Sequence, residues 1–145
     1  MEAKAAENVV RSYLLRLKPS AHEICQELAS DSFSCRPQPD ETFEFPGGTV
    51  VVEYEALTPV QSVQKYWWLL HNTDYLEQKG KVALVVLVLD SYAQPADQVE
   101  REKSLAAKLE AAFPGRFTYW HVGADEVSTD TISAALAQAY DAVKD

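Results

Sequence analysis

Hydrophobic and polar residues repeat with two different periods along the chain, and the change of period separates helices from strands. Apolar residues recur at helical spacing from Ala3 to Arg16, which predicts a first helix. Ser20 followed by Glu23 is a capping-box pattern and predicts a short second helix that ends at Leu28.

From residue 32 onward the period falls to two, as is typical of half-buried strands. The segments 32–37 and 41–45 alternate apolar with polar residues, and the segment 49–57 is rich in β-branched residues. The sequence Pro46-Gly47-Gly48 indicates a turn between the last two segments. The three segments therefore predict a meander of three strands.

The register of the predicted hairpin decides which carboxylates lie together. Side chains two residues apart in a strand share a face. A four-residue loop over 46–49 would pair Phe45 with Val50 and bring Asp40 opposite Glu55. On this register four carboxylates share one face of the sheet: Asp40, Glu44, Glu53 and Glu55. A loop shorter by one residue would move Asp40 to the other face.

Helices and strands alternate in the second half of the chain. Thr58, Pro59 and Gln61 suit the N-cap, N1 and N3 positions of a helix. The predicted elements are that helix to Asn72, a strand over 81–90, a helix over 96–113, a strand over 117–122 and a helix over 129–143. The strand over 81–90 does not alternate, which predicts burial on both faces. The whole pattern predicts an α/β three-layer sandwich, a single domain over 1–145 with a mixed central sheet flanked by helices.

The charge balance restricts the classes of partner. Against 13 basic residues the chain has 22 acidic ones, a formal net charge of −9, and 47% of its 145 residues are hydrophobic. Nucleic-acid binders usually present a basic face, so tight DNA binding by this chain alone is disfavoured, although bound metal ions can offset an acidic cluster. The longest apolar run, 82–89, is too short to span a bilayer, and the first residues lack a signal-peptide pattern. We therefore expect a cytoplasmic protein without a membrane segment.

Other residues with potential chemistry lack a supporting pattern. Cys25 and Cys35 stand ten positions apart without a CxxC spacing, which favours buried free thiols over a disulfide or a zinc site. His71 and His121 are isolated from other histidines in the sequence, so zinc hydrolysis is unsupported. The segment 100–110 mixes charges at helical spacing and is interpreted as a solvated helix face.

The predicted carboxylate cluster is the strongest candidate for chemistry. Carboxylates that share a small patch repel one another unless water or a cation separates them, and hard oxygen ligands suit Mg²⁺ or Mn²⁺. The alternative is that Glu53 and Glu55 lie on the solvated face of a hairpin. The next helix carries Gln61 and Lys65 on one face, and Lys65 could stabilise a phosphate oxygen or a nucleophilic water there. The alternative for Lys65 is an ordinary surface lysine.

In these residues and in its order of elements the chain resembles the restriction-endonuclease-like superfamily, the PD-(D/E)XK nucleases. The Pro-Asp of the family motif corresponds to Pro39-Asp40, and its next acidic residue corresponds to Glu53 after twelve intervening residues. The resemblance implies that Asp40 and Glu53 are metal ligands. Glu55 stands where the family most often has lysine, and Lys65 fits members in which the lysine has moved to the following helix.

Two further positions extend the resemblance. Some exonuclease branches carry Gln-x-x-x-Tyr on this helix, whereas here Gln61 is followed four residues later by Lys65, with Tyr66 one place further on. Glu7 corresponds to the acidic residue that many members place in the first helix.

The leading hypothesis is a metal-dependent phosphodiesterase of the nuclease type that acts on nucleic acid. Asp40, Glu53 and Glu55 would hold Mg²⁺ or Mn²⁺, and Lys65, Gln61 and Glu55 would act on the substrate. The rival is a catalytically inactive member of the same fold that serves as a protein-interaction or regulatory subunit. A third possibility is an unrelated α/β domain that binds a small molecule. An exposed Trp68 would suit a partner interface, so we expect a homo-oligomer or a partner protein.

Overall fold

The computed structural model of the chain describes residues 1–24, 39–55, 61–90 and 93–145. Its helices are α1 (Ala3–Leu15), α2 (Ser62–Asn72), α3 (Tyr75–Lys79), α4 (Ala96–Ala112) and α5 (Thr129–Val143). Its strands are β1 (Ala21–Ile24), β2 (Glu41–Phe45), β3 (Gly48–Glu55), β4 (Lys81–Val88) and β5 (Phe117–Val122). The predicted first helix, the strand over 117–122 and the helix over 129–143 match these bounds to within one residue.

The strands form one mixed sheet in the order β1-β2-β3-β4-β5. The first three strands are antiparallel neighbours, and β3, β4 and β5 run parallel. Parallel neighbours need a crossover connection, and helices lie between them in the sequence as such connections usually require. An α/β architecture with a mixed sheet flanked by helices is therefore confirmed.

Two hydrophobic cores cover the two faces of the sheet. One core joins α1 and α5 to side chains such as Val50, Val52 and Val85. The other joins α2, α3 and α4 to the alternate side chains, such as Val51 and Val86. Successive side chains of a strand point to opposite faces, so β3 supplies both cores. We call these the α1–α5 face and the α2–α4 face.

The central strand β4 is buried along nearly its whole length, as its lack of alternation predicts. Residues 82–88 are all buried, with side chains in both cores. Burial on both faces is the usual condition of a strand with parallel neighbours on each side. Among the described helices, none combines the length and apolar character needed to cross a bilayer.

The predicted second helix over 20–28 is wrong in its described part, because Ala21–Ile24 is the edge strand β1. The Ser20 hydroxyl donates to the Glu44 carbonyl at 3.1 Å instead of capping a helix, and the His22 ring stacks on Phe43 at 4.3 Å. These contacts with β2 outweigh the local capping signal. Several predicted features lie outside the described residues: Cys25, Cys35, the strand over 32–37, Thr58 and Pro59.

The predicted hairpin register is wrong by two residues. Phe45 pairs with Gly48 rather than with Val50, so the loop is two residues long. Gly48 belongs to the strand and pairs with Phe45 and Lys81. Glycine suits this position because β4 passes so close that an added Cβ would lie 2.3 Å from the Lys81 carbonyl oxygen. Because a shift of two preserves the alternation of faces, Asp40 stays on the same face as Glu53. Continuing the ladder by one residue places Asp40 opposite Glu53 rather than opposite Glu55.

Candidate active site

Three of the predicted site residues meet at the end of β3, on the α2–α4 face. The Asp40 side chain arrives from the residue before β2, Glu53 from β3 and Lys65 from α2. The Lys65 ammonium donates to Glu53 Oε1 at 2.6 Å, and the Tyr66 hydroxyl donates to the same oxygen at 3.2 Å. Glu53 is only 2% exposed, so these donors provide hydrogen bonds that water would otherwise supply.

Asp40 is fixed by the backbone of the neighbouring strand. Its Oδ2 accepts a hydrogen bond from the Tyr54 backbone N–H at 2.8 Å. This bond extends the β2–β3 contact beyond its last residue pair, Glu41 with Val52. The Asp40 carboxyl group is thereby held close enough to that of Glu53 to raise the pKa of Glu53.

The environment of Glu53 strongly favours its protonated form. Burial raises the pKa of Glu53 to about 8, with Asp40 adding repulsion and a hydrogen bond, while the Lys65 ammonium opposes the rise. A buried carboxyl group beside a second carboxylate cannot ionise freely unless a cation compensates it. The structure therefore brings together an ammonium group and two carboxyl groups, one of which has a raised pKa, a combination common at functional sites.

Glu55 lies two residues further along β3 and has a different environment. Its Oε1 accepts a hydrogen bond from the hydroxyl of Ser62, the first residue of α2. Burial raises the pKa of Glu55, whereas the Ser62 hydrogen bond and the Lys65 charge oppose the rise. Glu55 is half-buried and thus remains accessible beside the Asp40–Glu53 pair.

The first turn of α2 is held by a carboxylate from another helix. Glu102 of α4 is buried, and its Oε2 accepts from the Val63 backbone N–H at 2.9 Å while its Oε1 accepts from Gln64 Nε2 at 3.0 Å. Burial raises the pKa of Glu102, and these two hydrogen bonds oppose the rise. Val63 is one of the first residues of α2, whose backbone N–H groups lack partners within the helix. Glu102 therefore fixes the turn that carries Ser62 and precedes Lys65.

The strand β5 supplies polar side chains to the same face. The Tyr119 and His121 rings lie 6.4 Å apart, and the Tyr119 hydroxyl and His121 Nε2 are buried without a hydrogen-bond partner in the described part of the chain. Burial lowers the pKa of His121 to about 4, so its imidazole is neutral at pH 7. Burial also raises the pKa of Tyr119, with smaller contributions from the Glu102 and Glu55 charges.

Gln61 and Glu7 do not join the Asp40–Glu53 pair through any observed side-chain contact in the described segments. The prediction of Gln61 at N3 is wrong, because α2 begins at Ser62 and Gln61 lies at its N-cap position, where it is exposed and its side chain makes no capping hydrogen bond. Glu7 lies on α1, which covers the other face of the sheet, and approaches Arg11 at 3.7 Å.

A second buried polar group, the Glu41 cluster, lies on the α1–α5 face. Glu41 is 1% exposed, and its Oε1 accepts from Arg11 Nε at 2.8 Å and lies 2.9 Å from His22 Nε2. Its Oε2 accepts from the Tyr54 hydroxyl. The adjacent residues Asp40 and Glu41 therefore send their carboxylates to opposite faces of the sheet. The alternation of side chains predicts that these two residues face opposite ways, but it does not reveal which groups each carboxylate contacts.

Two residues of the site were not assigned a role from the sequence. Tyr66 contacts Glu53, although it stands one place beyond the position that the Gln-x-x-x-Tyr pattern would give a tyrosine. Glu102 was interpreted as part of a solvated helix face, and this interpretation is wrong because Glu102 is 1% exposed. The signal for Glu102 was its helical spacing from buried apolar residues, since Val99, Glu102 and Ala106 share one side of α4.

The oxygens of Asp40 and Glu53 are suitable ligands for a divalent cation, but the two side chains supply few of the ligands that such a cation needs. Among residues 1–24, 39–55, 61–90 and 93–145, no set of three or more His, Cys, Asp and Glu side chains is arranged to hold a metal ion. Mg²⁺ is commonly bound through one or two carboxylates with water completing its octahedral coordination. Asp40 and Glu53 provide two oxygen ligands whose mutual repulsion a cation would relieve.

Comparison with known proteins does not extend this assignment. No family model, curated protein or solved structure matches the chain. Function is therefore inferred from the chemistry of Asp40, Glu53, Glu55 and Lys65.

Proposed function

We propose that the chain is a metal-dependent phosphodiesterase of the nuclease type, with a restriction-endonuclease-like fold, and that it acts on nucleic acid. The observation that carries this proposal is the meeting of Asp40, Glu53 and Lys65 on one face, with Lys65 Nζ 2.6 Å from Glu53 Oε1. Asp40 precedes β2, Glu53 lies on β3 and Lys65 lies on α2. The motif resemblance implies that Asp40 and Glu53 are metal ligands, and Lys65 fits the variant in which the lysine has moved to the helix.

Asp40 and Glu53 would hold Mg²⁺ or Mn²⁺, which when bound would activate water and neutralise charge on a phosphate. Lys65 extends from α2 and is about one-third exposed, so its ammonium group can reach both the carboxylates and an incoming phosphate oxygen. Glu55 has a raised pKa and a hydroxyl donor, Ser62, and would transfer a proton as general acid or base. Gln61, exposed at the start of α2, would contact the substrate.

The net charge of −9 bears on how the substrate binds. Phosphate neutralisation by basic side chains supplies most non-specific affinity for nucleic acid. We therefore expect weak, salt-sensitive binding by the chain alone and delivery of the substrate by a partner protein or a second copy.

A second candidate is a catalytically inactive member of this fold that binds a partner protein. The Lys65–Glu53 ion pair favours it, because an internal cation already compensates the buried carboxylate. Trp68 also favours it: its side chain is 51% exposed on α2, and exposed aromatic residues are enriched at interfaces.

The test is a cleavage assay with the full chain, using labelled single-stranded DNA, double-stranded DNA and RNA in Mg²⁺, Mn²⁺ or EDTA. We expect metal-dependent cleavage that falls about 100-fold in Asp40→Asn and in Glu53→Gln, as for loss of groups that hold a catalytic metal. Glu44→Gln is the matched control, because Glu44 lies on the same strand face but pairs with Lys79 at 2.8 Å. Absence of cleavage, or equal cleavage by all three variants, would favour the inactive member.

A further inference from the structure

Two polar atoms of β5 are buried without a hydrogen-bond partner in the described part of the chain, and the proposed function uses neither of them. They are the Tyr119 hydroxyl and His121 Nε2, which belong to rings whose centroids lie 6.4 Å apart. A buried polar group without a partner destabilises the folded state, so such atoms are rare unless a bound molecule satisfies them. The pair therefore marks a place where a polar ligand group can bind.

The strand register places this pair beside the candidate active site. Glu53 pairs with Val86 on β4, and Val86 pairs with His121 on β5, so one row of residues crosses three parallel strands. Tyr119 packs against the core of the α2–α4 face, and His121, two residues further along the strand, shares that face. Because neighbouring strands are about 4.8 Å apart, the backbones of Glu53 and His121 are separated by about 10 Å.

The chemistry of the two atoms suits a neutral hydroxyl group. A tyrosine hydroxyl can donate or accept, and a nitrogen of a neutral imidazole does one or the other according to its tautomer. A hydroxyl ligand both donates and accepts through one atom, so it fits either tautomer of His121.

Charge disfavours an anion at the same place. Burial lowers the pKa of His121 to about 4, so at pH 7 its imidazole carries no charge that would attract a phosphate. Burial also raises the pKa of Tyr119, and the charges of Glu102 and Glu55 raise it further. The Tyr119 hydroxyl therefore lies in negative surroundings, in which a neutral ligand group is favoured.

We infer that Tyr119 and His121 form a subsite for a hydroxyl group of the substrate, and that in a nucleic acid this group is the ribose 2′-hydroxyl. The inference rests on the proposed function for the choice of nucleic acid, and it narrows the substrate to RNA or to a strand that contains ribonucleotides. The 2′-hydroxyl is the group by which a protein distinguishes RNA from DNA at a given site. A deoxyribose would leave both buried atoms without a partner, and sites built to bind a hydroxyl reject analogues that lack it.

Water is the other source of a hydroxyl group at this position, because buried waters commonly satisfy such atoms. Both side chains are half-buried, so part of each ring reaches the surface and a small occupant can be exchanged. The two sources predict different behaviour toward a nucleoside. A ribose hydroxyl that replaces the water makes binding depend on that hydroxyl, whereas a site for water alone gives no such dependence.

The first test uses uridine and 2′-deoxyuridine, which are neutral and differ only in the 2′-hydroxyl. The histidine side chains of the wild-type chain are labelled with nitrogen-15, and the His121 ring nitrogens are followed by NMR during titration with each nucleoside. We expect uridine to shift the His121 Nε2 resonance and to bind about tenfold more tightly than 2′-deoxyuridine, since its hydroxyl satisfies two buried atoms. Equal affinities, or a His121 resonance that uridine leaves unchanged up to its solubility limit, would overturn the inference and leave a site for water only.

The second test is Tyr119→Phe, which removes the hydroxyl and keeps the ring. We expect uridine to bind about tenfold more weakly and 2′-deoxyuridine to bind within about twofold of its wild-type affinity. An unchanged uridine affinity would overturn the inference. The comparison of the two nucleosides in the wild type stands even if Tyr119→Phe does not fold.

Tyr75→Phe is the matched control for Tyr119→Phe. The Tyr75 hydroxyl is also buried without a partner among the described residues, but it lies on α3 and its ring packs edge-on against Tyr66 at 6.2 Å. The uridine affinity of Tyr75→Phe should stay within about twofold of the wild type. An equal loss in the two variants would show that the effect is not specific to the Tyr119–His121 pair, and the inference would fail.

The two proposals fail in different ways. Uridine binding that depends on the 2′-hydroxyl, without cleavage of any strand, would sustain the subsite and refute the phosphodiesterase. Metal-dependent cleavage of RNA and DNA at equal rates, unaltered in Tyr119→Phe, would sustain the phosphodiesterase and refute the subsite. If no strand is cleaved and uridine leaves the His121 resonance unchanged, both proposals are refuted.

Discussion

The Asp40 carboxylate accepts a hydrogen bond from the Tyr54 backbone N–H at 2.8 Å, and this bond sets the carboxyl group beside that of Glu53. The bond matters because Asp40 precedes the first residue of β2, so the regular backbone pairing of the strands does not fix its position. A side chain has taken over the role of a backbone acceptor at the end of the sheet. The geometry of the candidate site therefore depends on one hydrogen bond outside the regular pairing.

Two substitutions of Asp40 distinguish the effect of its charge from the effect of its hydrogen bond to Tyr54. In Asp40→Asn the side-chain oxygen can still accept from Tyr54, but the charge that repels ionised Glu53 is gone. We expect the pKa of Glu53 to fall below its value of about 8, because Asp40 contributes to raising it. The measurement is a carbon-detected NMR titration of the glutamate carboxyl groups.

Asp40→Ala provides the comparison, because it removes the acceptor as well as the charge. We expect it to unfold with a free energy about 1 kcal/mol lower than Asp40→Asn, the usual net contribution of one hydrogen bond. Equal stability of the two variants in urea would mean that the bond to Tyr54 contributes nothing. An unchanged Glu53 titration in Asp40→Asn would mean that the two carboxyl groups do not interact.

The raised pKa of Glu53 predicts that its contribution to stability falls as the pH rises. Burial holds a proton on Glu53 in the folded state up to a pKa of about 8, whereas the unfolded chain releases it near 4.5. Between these values the folded state binds one proton more than the unfolded state. The free energy of unfolding should therefore decrease by up to about 1.4 kcal/mol per pH unit from this group.

Glu53→Gln isolates this contribution. Its free energy of unfolding relative to the wild type should increase from pH 5 to pH 8, since the variant has no proton to lose and other groups titrate in both proteins. Urea denaturation across this range measures the difference. Glu44→Gln, at a carboxylate on the same strand face that pairs with Lys79, is measured in parallel as the control. A difference between Glu53→Gln and wild type that stays constant with pH would contradict the prediction.

The sequence predicted the shared face of the carboxylates because that relationship depends on period alone. Glu53 and Glu55 are two residues apart in a strand, so no detail of the loop can separate them. Asp40 was predicted on their face from a wrong register. The prediction held because the true register differs by two residues, an even number, and the partner became Glu53 instead of Glu55.

Features decided by distant contacts were not predictable in this way. The segment Ala21–Ile24 has a helix-start pattern but is a strand, because it pairs with β2 along its length and the His22 ring stacks on Phe43. The five-residue helix α3 was missed because it is too short to show a period. Glu102 carries an acidic group into an apolar stripe, and only the packing of α4 against α2 reveals its partners.

Arg11 should stabilise the folded chain mainly through its contact with Glu41. Arg11→Met leaves buried Glu41 without its nearest charged partner, although His22 and Tyr54 still contact it. We expect a loss of about 2 kcal/mol in unfolding free energy, less than for a fully buried pair because Arg11 is partly exposed. Urea denaturation at neutral pH gives the value.

The control for Arg11→Met is Glu7→Gln, which removes the other carboxylate near the same guanidinium group. Glu7 and Arg11 are 3.7 Å apart with both side chains about one-third exposed, so we expect a change within about 0.5 kcal/mol. If Glu7→Gln destabilises the chain as much as Arg11→Met does, the guanidinium group acts through α1 and not through Glu41.

Glu102 should stabilise the first turn of α2 more than it stabilises the protein as a whole. Its carboxylate accepts from the Val63 N–H and from Gln64 Nε2, and it lies on a different helix from the turn that it caps. In Glu102→Ala the Val63 N–H loses its acceptor in a buried position, which costs about 2 kcal/mol. We expect amide hydrogen exchange to accelerate in residues 62–66, while the amides of β4 change only by the loss of global stability. Because this turn carries Ser62 and leads to Lys65, the same variant should weaken the alignment of both with Glu55 and Glu53.

The matched control is Glu110→Gln, an exposed glutamate on the same helix, which should leave exchange in 62–66 unaltered. Uniform acceleration across α2 and β4 in Glu102→Ala would show that Glu102 supports the core and does not specifically position the site.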